Sequence, residues 1–193
     1  MADEFELWLV RHGETEWSKT GRHTSRTDVP LTEPGERQAE ALGGLLGGQK
    51  FARVLSSPKR RALDTCRLAG YGDSAEIADD LQEWDYGEYE AEKTVDIRRT
   101  RPDWSLWDDG APGGETPAQV GERARRVLAE FERAGGDVVV FSHGHFLRVL
   151  TATWLGLPPE SGRRFGLSTA TLGRLGHERE HHVVWLWNQP AGE

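Results

Sequence analysis

Two short apolar runs of this chain each end in a histidine followed by a glycine. The first run, residues 5–10, leads through an arginine to His12, and the second, residues 137–141, leads through a serine to His143. Runs of four to six residues rich in Val, Leu and aromatic side chains are typical of buried strands. Ligands of open α/β sheets bind just beyond the carboxyl ends of such strands. If the two strands are neighbours, two imidazoles and a guanidinium meet at one edge of the sheet, a combination that suits a phosphoryl group.

Strand-like and helix-like segments alternate along the chain, which favours an α/β fold. Helices are predicted after the capping residues Thr32, Ser57 and Thr116, each with a proline in the first turn. Closing strands are predicted over 169–175 and 182–187, the last one at an edge. We therefore expect a three-layer α/β/α sandwich with a mostly parallel central sheet and room for one antiparallel edge strand.

Residues 71–114 are less regular and place several tryptophans among charged residues. This pattern predicts an excursion over the rim of the sheet, facing the substrate, with at most one short helix near 92–101. No linker, repeat or low-complexity tract interrupts the chain, so a single domain over residues 1–193 is expected.

Composition limits the partners of this chain. Hydrophobic residues make up 36% and charged residues 29% of its 193 residues, as in soluble globular proteins. The net charge of −8 argues against nucleic acid or a membrane surface as a partner. With Cys66 as its single cysteine, the chain cannot form an internal disulfide. The acidic start at residues 1–4 lacks the basic region of a secretory signal, and no run approaches the roughly 18 apolar residues of a membrane span, so a cytoplasmic location is expected.

Transfer of a phosphoryl group to a side chain has three requirements. It needs a nucleophile in line with phosphorus, cations on the non-bridging oxygens and an acid for the leaving oxygen. A neutral imidazole is nucleophilic, and neighbouring cations favour that neutral form. The segment Arg11-His12-Gly13-Glu14-Thr15 supplies such an imidazole beside a guanidinium. As a unit it resembles the signature of the histidine phosphatase superfamily, in its phosphoglycerate mutase-like branch.

The resemblance continues in order along the chain and implies a role for each matching residue. In that family the histidine corresponding to His12 becomes phosphorylated. Residues 56–62 match the Ser-Pro-x-x-Arg-Ala element, which makes Arg61 the second phosphate arginine beside Arg11. Residues 81–87 look like the acid loop, with Glu83 as proton donor. His143 matches the second histidine, which binds the transferred phosphoryl group.

Further residues of the resemblance fall on the substrate side of this site. Ser18 stands where the mutase branch often has Asn, and Thr24 and Ser25 align with a pair of small residues that line the pocket. Their hydroxyls are candidates for phosphate or sugar oxygens, and are equally explained as ordinary loop residues. The backbone N–H of Gly144 is expected to contribute to the phosphate site.

The loop sequences are most similar to small acid-phosphatase and sugar-bisphosphatase members of the family. The glycine usual after the acid loop is Ala91 here, and the segment with which true mutases close over a bisphosphate has no counterpart. An open pocket admits water, which hydrolyses phosphohistidine. The resemblance therefore implies a metal-independent phosphomonoesterase that acts on small phosphate esters, sugar phosphates above all. No cofactor is expected, since arginines supply the charge that Mg²⁺ would otherwise provide.

Three other interpretations remain open. The first is phosphoryl transfer of the phosphoglycerate mutase type, and the second is a phosphate-binding module without turnover. The third is a metal hydrolase that uses His12, His143 and His145, although their spacing matches no established ligand pattern. Beyond a small phosphate ester, the one further partner expected is a second copy of this chain, paired through the last strand as a homodimer.

Overall fold

The computed structural model describes residues 5–191. The acidic start at residues 1–4, on which the expectation of no secretory signal rests, lies outside this range, as do residues 192 and 193. Within the range, none of the helices combines the length and apolar character needed to cross a bilayer.

A mixed sheet lies at the centre of the fold. Within residues 5–191 its strands are β1 (Leu7–Arg11), β2 (Arg53–Ser56), β3 (Ala75–Ile77), β4 (Val138–Ser142), β5 (Thr171–Glu178) and β6 (His181–Pro190). They lie in the order β3-β2-β4-β1-β5-β6. The first four run parallel, β5 is antiparallel to β1, and β6 is antiparallel to β5. The mostly parallel sheet is thus confirmed, and its antiparallel part is a terminal hairpin. Pairing of the β6 edge across a homodimer stays a prediction.

Helices connect and cover these strands. In the described part of the chain the α-helices are α1 (Glu16–Thr20), α2 (Glu33–Leu46), α3 (Arg60–Leu68), α4 (Thr94–Thr100), α5 (Leu106–Asp109), α6 (Pro117–Phe131) and α7 (Gly144–Trp154). Thr32 caps α2 by accepting a hydrogen bond from the N–H of Gly35, and Thr116 forms a capping box with Gln119 at α6. Both capping predictions are confirmed.

Apolar cores on both faces of the sheet confirm the three-layer sandwich. Side chains of a strand alternate between faces, so Leu7 and Leu9 pack with α6 and α7, whereas Val10 packs with α2 and α3. Strand β4 divides in the same way and is buried on both sides. Because β1, β4 and β2 are parallel and adjacent, their carboxyl ends meet at one edge, where the site described below lies.

The predicted start of the helix after Ser57 is wrong. Helix α3 begins at Arg60, its cap position is Lys59, and no side chain caps it. The hydroxyl of Ser57 is hydrogen-bonded to Nε2 of His143 at 2.7 Å. The same hydroxyl accepts a hydrogen bond from the N–H of Lys59 at 3.3 Å, and residues 57–59 form a bend that precedes the helix.

Residues 71–114 contain more structure than the sequence predicts. The expected short helix is α4, but strand β3 and helix α5 also lie in this range. Trp84 and Trp104 are buried in the core that faces α6 and α7. Strand β3 consists of only Ala-Glu-Ile and is largely exposed, so the sequence shows no alternation of apolar and polar residues that would predict a strand there. It is a strand because it pairs with β2. This stretch is therefore partly sheet and partly core.

Ala91 has a backbone φ of +68°, in the left-handed region that favours glycine. Its N–H donates to the carbonyl of His23, which ties the turn to the rim of the site. The expected glycine position is thus confirmed, and Ala91 occupies it at a cost of about 1 kcal/mol.

Candidate active site

Strands β1 and β4 bring the two His-Gly pairs together. Arg11 is paired with Ser142 in the parallel register, and the N–H of His12 donates to the carbonyl of Ser142 at 3.1 Å. The imidazole rings of His12 and His143 lie edge to face, with centroids 5.2 Å apart. Two imidazoles separated by more than 130 positions in the sequence therefore share one small volume.

The ring of His12 is held in a defined tautomer. Its Nδ1 lies 2.7 Å from the carbonyl oxygen of Gly13, and because a carbonyl only accepts, Nδ1 carries the proton. Burial lowers the pKa of His12 well below its ordinary value, and the charges of Arg61 and Arg11 lower it further. The imidazole is therefore neutral, with the lone pair on Nε2 available to a ligand.

His143 lies beneath this ring and is fully buried. Its Nε2 is hydrogen-bonded to Ser57, while its Nδ1 has no partner within residues 5–191. Burial, followed by the charge of Arg61, lowers the pKa of His143 well below its ordinary value. A second neutral imidazole is thus positioned by the bend that follows β2.

Two guanidinium groups flank the histidines. Arg11 donates through Nη1 to the carbonyl of Leu167. Arg61, fully buried on the first turn of α3, donates to the carbonyls of Thr27 at 3.2 Å and Thr24 at 3.1 Å. Burial lowers the pKa of each, yet an arginine stays charged. The Nε atoms of both are buried without a partner in the described chain, as is Nδ1 of the second histidine. Unpaired buried donors are costly, so this cluster indicates a site that a ligand completes.

The neighbouring arginines Arg60 and Arg61 differ in their surroundings. Arg60 is exposed and pairs with Asp64 one turn along α3. Gly144 supports the same site in another way, since a Cβ there would lie 3.1 Å from Cζ of Arg11. A larger residue at this position would require the guanidinium to move away from the start of α7 by a few tenths of an ångström.

Glu83 is 8% exposed and lies at the start of α7. Its carboxylate accepts hydrogen bonds from the N–H groups of Trp84 at 2.9 Å, His145 at 3.1 Å and Phe146 at 2.8 Å. Amides at a helix N-terminus favour such a carboxylate. These bonds single out Glu83 from the several acids that surround it in the sequence.

Arg123 of α6 holds the backbone of the segment that carries Glu83. Its guanidinium donates to the carbonyls of Asp80 at 2.8 Å and Gln82 at 2.6 Å. The same group forms an ion pair with Glu115 at 2.8 Å. The position of Glu83 thus depends on a contact with a helix about 40 residues away in the sequence.

A cavity of about 190 Å³ opens above the histidines. Of the residues predicted for the site, it is lined by Arg11, His12, Ser18, Thr24, Glu83 and Gly144. It is also lined by Tyr86 of the acid loop and by His145, a ligand in the metal-hydrolase interpretation. The other lining residues include four to which the sequence assigned no role, namely Arg22, His23, Thr94 and Arg148. Arg61 and His143 are not among the residues that line the cavity. His143 packs against the ring of His12, at the end of the cavity that is called the phosphate end below. Helical spacing could have found one of the missed residues, because Gly144 and Arg148 are four apart on α7.

The three hydroxyls predicted for the substrate side differ in their surroundings. Ser18 belongs to the capping box of α1 with Thr15, although it also borders the cavity. Thr24 donates to the carbonyl of Arg22 at 3.1 Å. Ser25 lies outside the cavity that holds His12, because its hydroxyl donates to Glu90 at 2.7 Å.

Tyr86 and His145 form a pair on the cavity wall. The Tyr86 hydroxyl lies 2.6 Å from Nδ1 of His145, and Tyr86 stacks on His23 with a centroid distance of 4.6 Å. Burial raises the pKa of Tyr86 well above its ordinary value and lowers that of His145 well below. Both groups are therefore neutral at pH 7.

The ligand set of the metal-hydrolase interpretation does not assemble. Across the residues that the structure describes, His, Cys, Asp and Glu side chains form no group of three or more suited to a metal ion. His143 and His145 each use one ring nitrogen for a hydroxyl, of Ser57 and Tyr86 respectively.

Comparison with known proteins places this arrangement among relatives. The model of the histidine phosphatase superfamily (branch 1) matches residues 7–190. The chain is 47% identical to an acid phosphatase of Mycobacterium tuberculosis, over 95% of this chain and 94% of the relative. It is 36% identical to the sedoheptulose 1,7-bisphosphatase of Saccharomyces cerevisiae, over 77% of this chain and 67% of the relative. A probable phosphoglycerate mutase of Serratia proteamaculans is 30% identical, over 94% of this chain and 89% of the relative.

A solved structure shares the fold as well. The product of an open reading frame of Mycobacterium tuberculosis superposes with a TM-score of 0.92 at 42% identity, covering 97% of this chain and 99% of that one. The predicted fold class and family resemblance are confirmed by these matches. The predicted enzyme class, a phosphatase, agrees with the names of the first two relatives.

Proposed function

The chain belongs to the histidine phosphatase superfamily, and from this premise we propose that it is a metal-independent phosphomonoesterase. Its substrates are small phosphate esters, with sugar phosphates foremost, and its intermediate is a phosphohistidine. One observation carries the proposal: the neutral ring of His12 presents Nε2 where Arg11, Arg61 and His143 meet.

In the first step, Nε2 of His12 attacks phosphorus and the ester oxygen leaves. The guanidinium groups of Arg11 and Arg61 and the imidazole of His143 hold the non-bridging oxygens as charge develops on them. Their unpaired buried nitrogens support this assignment, because bound phosphoryl oxygens would supply the missing partners. The backbone N–H of Gly144, at the start of α7, adds a donor.

Glu83 transfers protons in both steps of the reaction. It is the sole carboxyl among the described residues that line the cavity, which supports its assignment as the acid for the leaving alkoxide. In the second step a water molecule attacks the phosphohistidine, and Glu83 takes the proton of that water as a general base. His12 is thereby restored, and inorganic phosphate leaves.

A panel of phosphate monoesters tests the proposal. Release of phosphate from p-nitrophenyl phosphate and from sugar phosphates is expected to persist in EDTA and to fall by about 10⁴-fold or more in His12→Ala. His181→Ala, on the exposed β6 edge, is the matched control and is expected to match the wild-type protein. Turnover no faster than that of His12→Ala would leave a binding module without catalysis.

Two further measurements address the intermediate and the mutase alternative. Alkaline quenching after mixing with ³²P-labelled substrate should trap an acid-labile phosphoprotein that His12→Ala does not form. A time course with 3-phosphoglycerate is expected to release phosphate without prior build-up of 2-phosphoglycerate. Faster appearance of 2-phosphoglycerate would favour phosphoryl transfer of the mutase type.

A further inference from the structure

One half-buried carboxylate beside the active site has no part in the two-step mechanism. Glu90 follows the acid loop in the sequence and, unlike Glu83, is not among the residues that line the cavity. Its carboxylate accepts hydrogen bonds from the loop over residues 24–27, and the same loop holds Arg61. A carboxylate outside the cavity is thus connected to a guanidinium of the phosphate end.

Glu90 holds this loop through three donors. Its Oε1 accepts from the N–H groups of Ser25 and Thr27, both at 3.0 Å, and its Oε2 accepts from the hydroxyl of Ser25 at 2.7 Å. Burial by itself would raise the pKa of Glu90, but the hydrogen bonds from Ser25 and Thr27 outweigh burial and lower that pKa, so the carboxylate is ionised at pH 7. Hydrogen bonds to an ionised acceptor are roughly twice as strong as those between neutral groups. The backbone of residues 25 and 27 is therefore fixed by a charge.

The peptide group between Thr24 and Ser25 connects Glu90 to Arg61. Its N–H donates to Glu90, and its carbonyl accepts from Nη2 of Arg61 at 3.1 Å. A trans peptide group is planar, and its N–H and C=O bonds point in opposite directions. The carboxylate that binds the N–H therefore sets the direction of the carbonyl that binds the guanidinium. Thr27 is held in a similar way, since its N–H donates to Glu90 and its carbonyl accepts from Nη1 of Arg61 at 3.2 Å.

The guanidinium of Arg61 depends on these two carbonyls for its orientation. It is fully buried, and its Nε has no partner within residues 5–191, so the bonds from Nη1 and Nη2 to the loop determine which way the group faces. Burial lowers the pKa of Arg61, and the charge of Glu90 is among those that oppose this effect. A planar guanidinium must match phosphate oxygens in direction as well as in distance. A small rotation of the loop would therefore weaken binding of the phosphoryl group.

The loop also contacts the acid loop. The hydroxyl oxygen of Ser25 accepts a hydrogen bond from the N–H of Tyr86 at 3.3 Å. A displacement of residues 24–27 therefore acts on two groups of the site. Arg61 has two bonds to this loop, whereas Glu83 lies three positions before Tyr86, so the larger effect is expected at Arg61.

We propose that Glu90 is a positioning residue of the phosphate end. Through residues 24–27, its carboxylate holds the guanidinium of Arg61 in the orientation that binds the non-bridging oxygens. The inference rests on the proposed phosphatase function and goes beyond it, because it adds a residue that does not contact the substrate. It also gives Ser25, which lies outside the cavity, a role in the site: its N–H and its hydroxyl bind Glu90.

Glu90→Gln tests this role, because glutamine keeps the shape of the side chain and removes its charge. We expect kcat/KM to fall about tenfold for p-nitrophenyl phosphate and for fructose 6-phosphate alike, and the inhibition constant of inorganic phosphate to rise by a similar factor. Glu88→Gln, an exposed residue two positions away with the same change of charge, is the control and should keep the wild-type values. A loss confined to fructose 6-phosphate would place the effect at Glu83 and overturn the proposal.

A double-mutant cycle assigns the effect to Arg61. In the background of Arg61→Lys, which lacks the bonds from a guanidinium to the loop carbonyls, Glu90→Gln should lower kcat/KM by less than about twofold further. A merely structural role of Glu90 would lower kcat/KM by the same factor in both backgrounds, and that result would contradict the proposal. Urea unfolding of each variant accompanies the kinetics.

Ser25→Ala is a second, milder variant that decides the question if Glu90→Gln does not fold. It removes the hydroxyl bond to Glu90 and leaves the N–H bond in place. The inhibition constant of inorganic phosphate, which involves no leaving group, is expected to rise about threefold. An unchanged constant would mean that the contact between this loop and Glu90 does not position Arg61.

The outcomes separate this inference from the proposed function. If no ester is hydrolysed faster than by His12→Ala, the phosphatase proposal itself is wrong. If the wild-type protein hydrolyses esters and Glu90→Gln matches it, the positioning role is wrong and the phosphatase proposal remains.

Discussion

The two ends of the cavity are built in different ways. At the phosphate end, His12 and His143 follow adjacent parallel strands, so the sheet register determines their separation. At the leaving-group end, Glu83 and Tyr86 come from a loop that is hydrogen-bonded to helix α7, through the N–H of Phe146 and the ring of His145 respectively. Arg148 of α7 donates to the carbonyl of Gly162. A sheet provides a rigid frame that suits the group common to all phosphate esters. Loops accommodate the part that varies between substrates.

This difference predicts two classes of variant. Changes at the phosphate end should slow every ester by the same factor, whereas changes at the leaving-group end should depend on which alcohol departs. The variants below can confirm this separation or contradict it.

Among the variants that compare the two ends, the largest effect is expected for Arg61→Lys. Lysine keeps the charge but loses the planar fork and the bonds to the carbonyls of Thr24 and Thr27. We expect kcat to fall roughly 10³-fold for p-nitrophenyl phosphate and for sugar phosphates alike. Steady-state kinetics on both substrates measure this, with the exposed Arg60→Lys as control. A loss confined to one substrate would contradict the separation of the two ends.

Glu83→Gln should affect substrates unequally. An alkoxide needs a proton as it leaves and p-nitrophenolate does not. The value of kcat/KM, which reports the steps up to departure of the alcohol, is therefore expected to fall about 10²-fold for sugar phosphates and far less for p-nitrophenyl phosphate. The amide offers fewer acceptor sites to the N–H groups of Trp84, His145 and Phe146. Urea unfolding should therefore accompany the kinetics. Equal losses in kcat/KM on both substrates, with stability retained, would remove Glu83 from the role of acid for the leaving group.

The buried histidines make stability depend on pH at both ends. Burial lowers the pKa of His143 and of His145 below the unfolded value of about 6.5. The unfolded chain therefore binds more protons below pH 6.5, and the free energy of unfolding is retained above that pH and falls as pH decreases. Between pH 7 and 5.5, a histidine that stays neutral in the folded state accounts for about 1 kcal/mol of such a decrease.

Urea unfolding of His143→Gln and His145→Gln checks this dependence. Each variant should show a smaller loss of stability on acidification than the wild-type protein, and the exposed His181→Gln should show the same loss. An unchanged pH slope in both buried variants would mean that these imidazoles are protonated in the folded state.

The smallest effect is expected for Ala91→Gly. Glycine relieves the left-handed backbone at φ +68°, with an expected gain of about 0.5–1 kcal/mol and an increase in Tm of about 2 °C. Ala41→Gly, inside α2, is the matched control and should destabilise by a similar amount. Loss of stability in Ala91→Gly would show that this turn carries no backbone strain.

Sequence patterns predicted the two regions unequally as well. The strands around His12 and His143 and the caps at Thr32 and Thr116 are local features, so short motifs predicted them. Strand β3 and the bend at Ser57 could not be predicted in this way, since each depends on a partner distant in the sequence. The family resemblance predicted Ser25 on the substrate side of the site, but its hydroxyl is hydrogen-bonded to Glu90, 65 positions away in the sequence.

The amino-acid sequence by itself determined the α/β architecture and the phosphate end, because alternating apolar strands and the residues at their ends are encoded within a few positions. Only the tertiary structure decided which acid lies at α7, which hydroxyl is hydrogen-bonded to His145 and which carbonyl holds Arg148. Those features depend on hydrogen bonds and packing between segments that are far apart in the chain, and the free energy of such contacts exists only once the fold has brought them together.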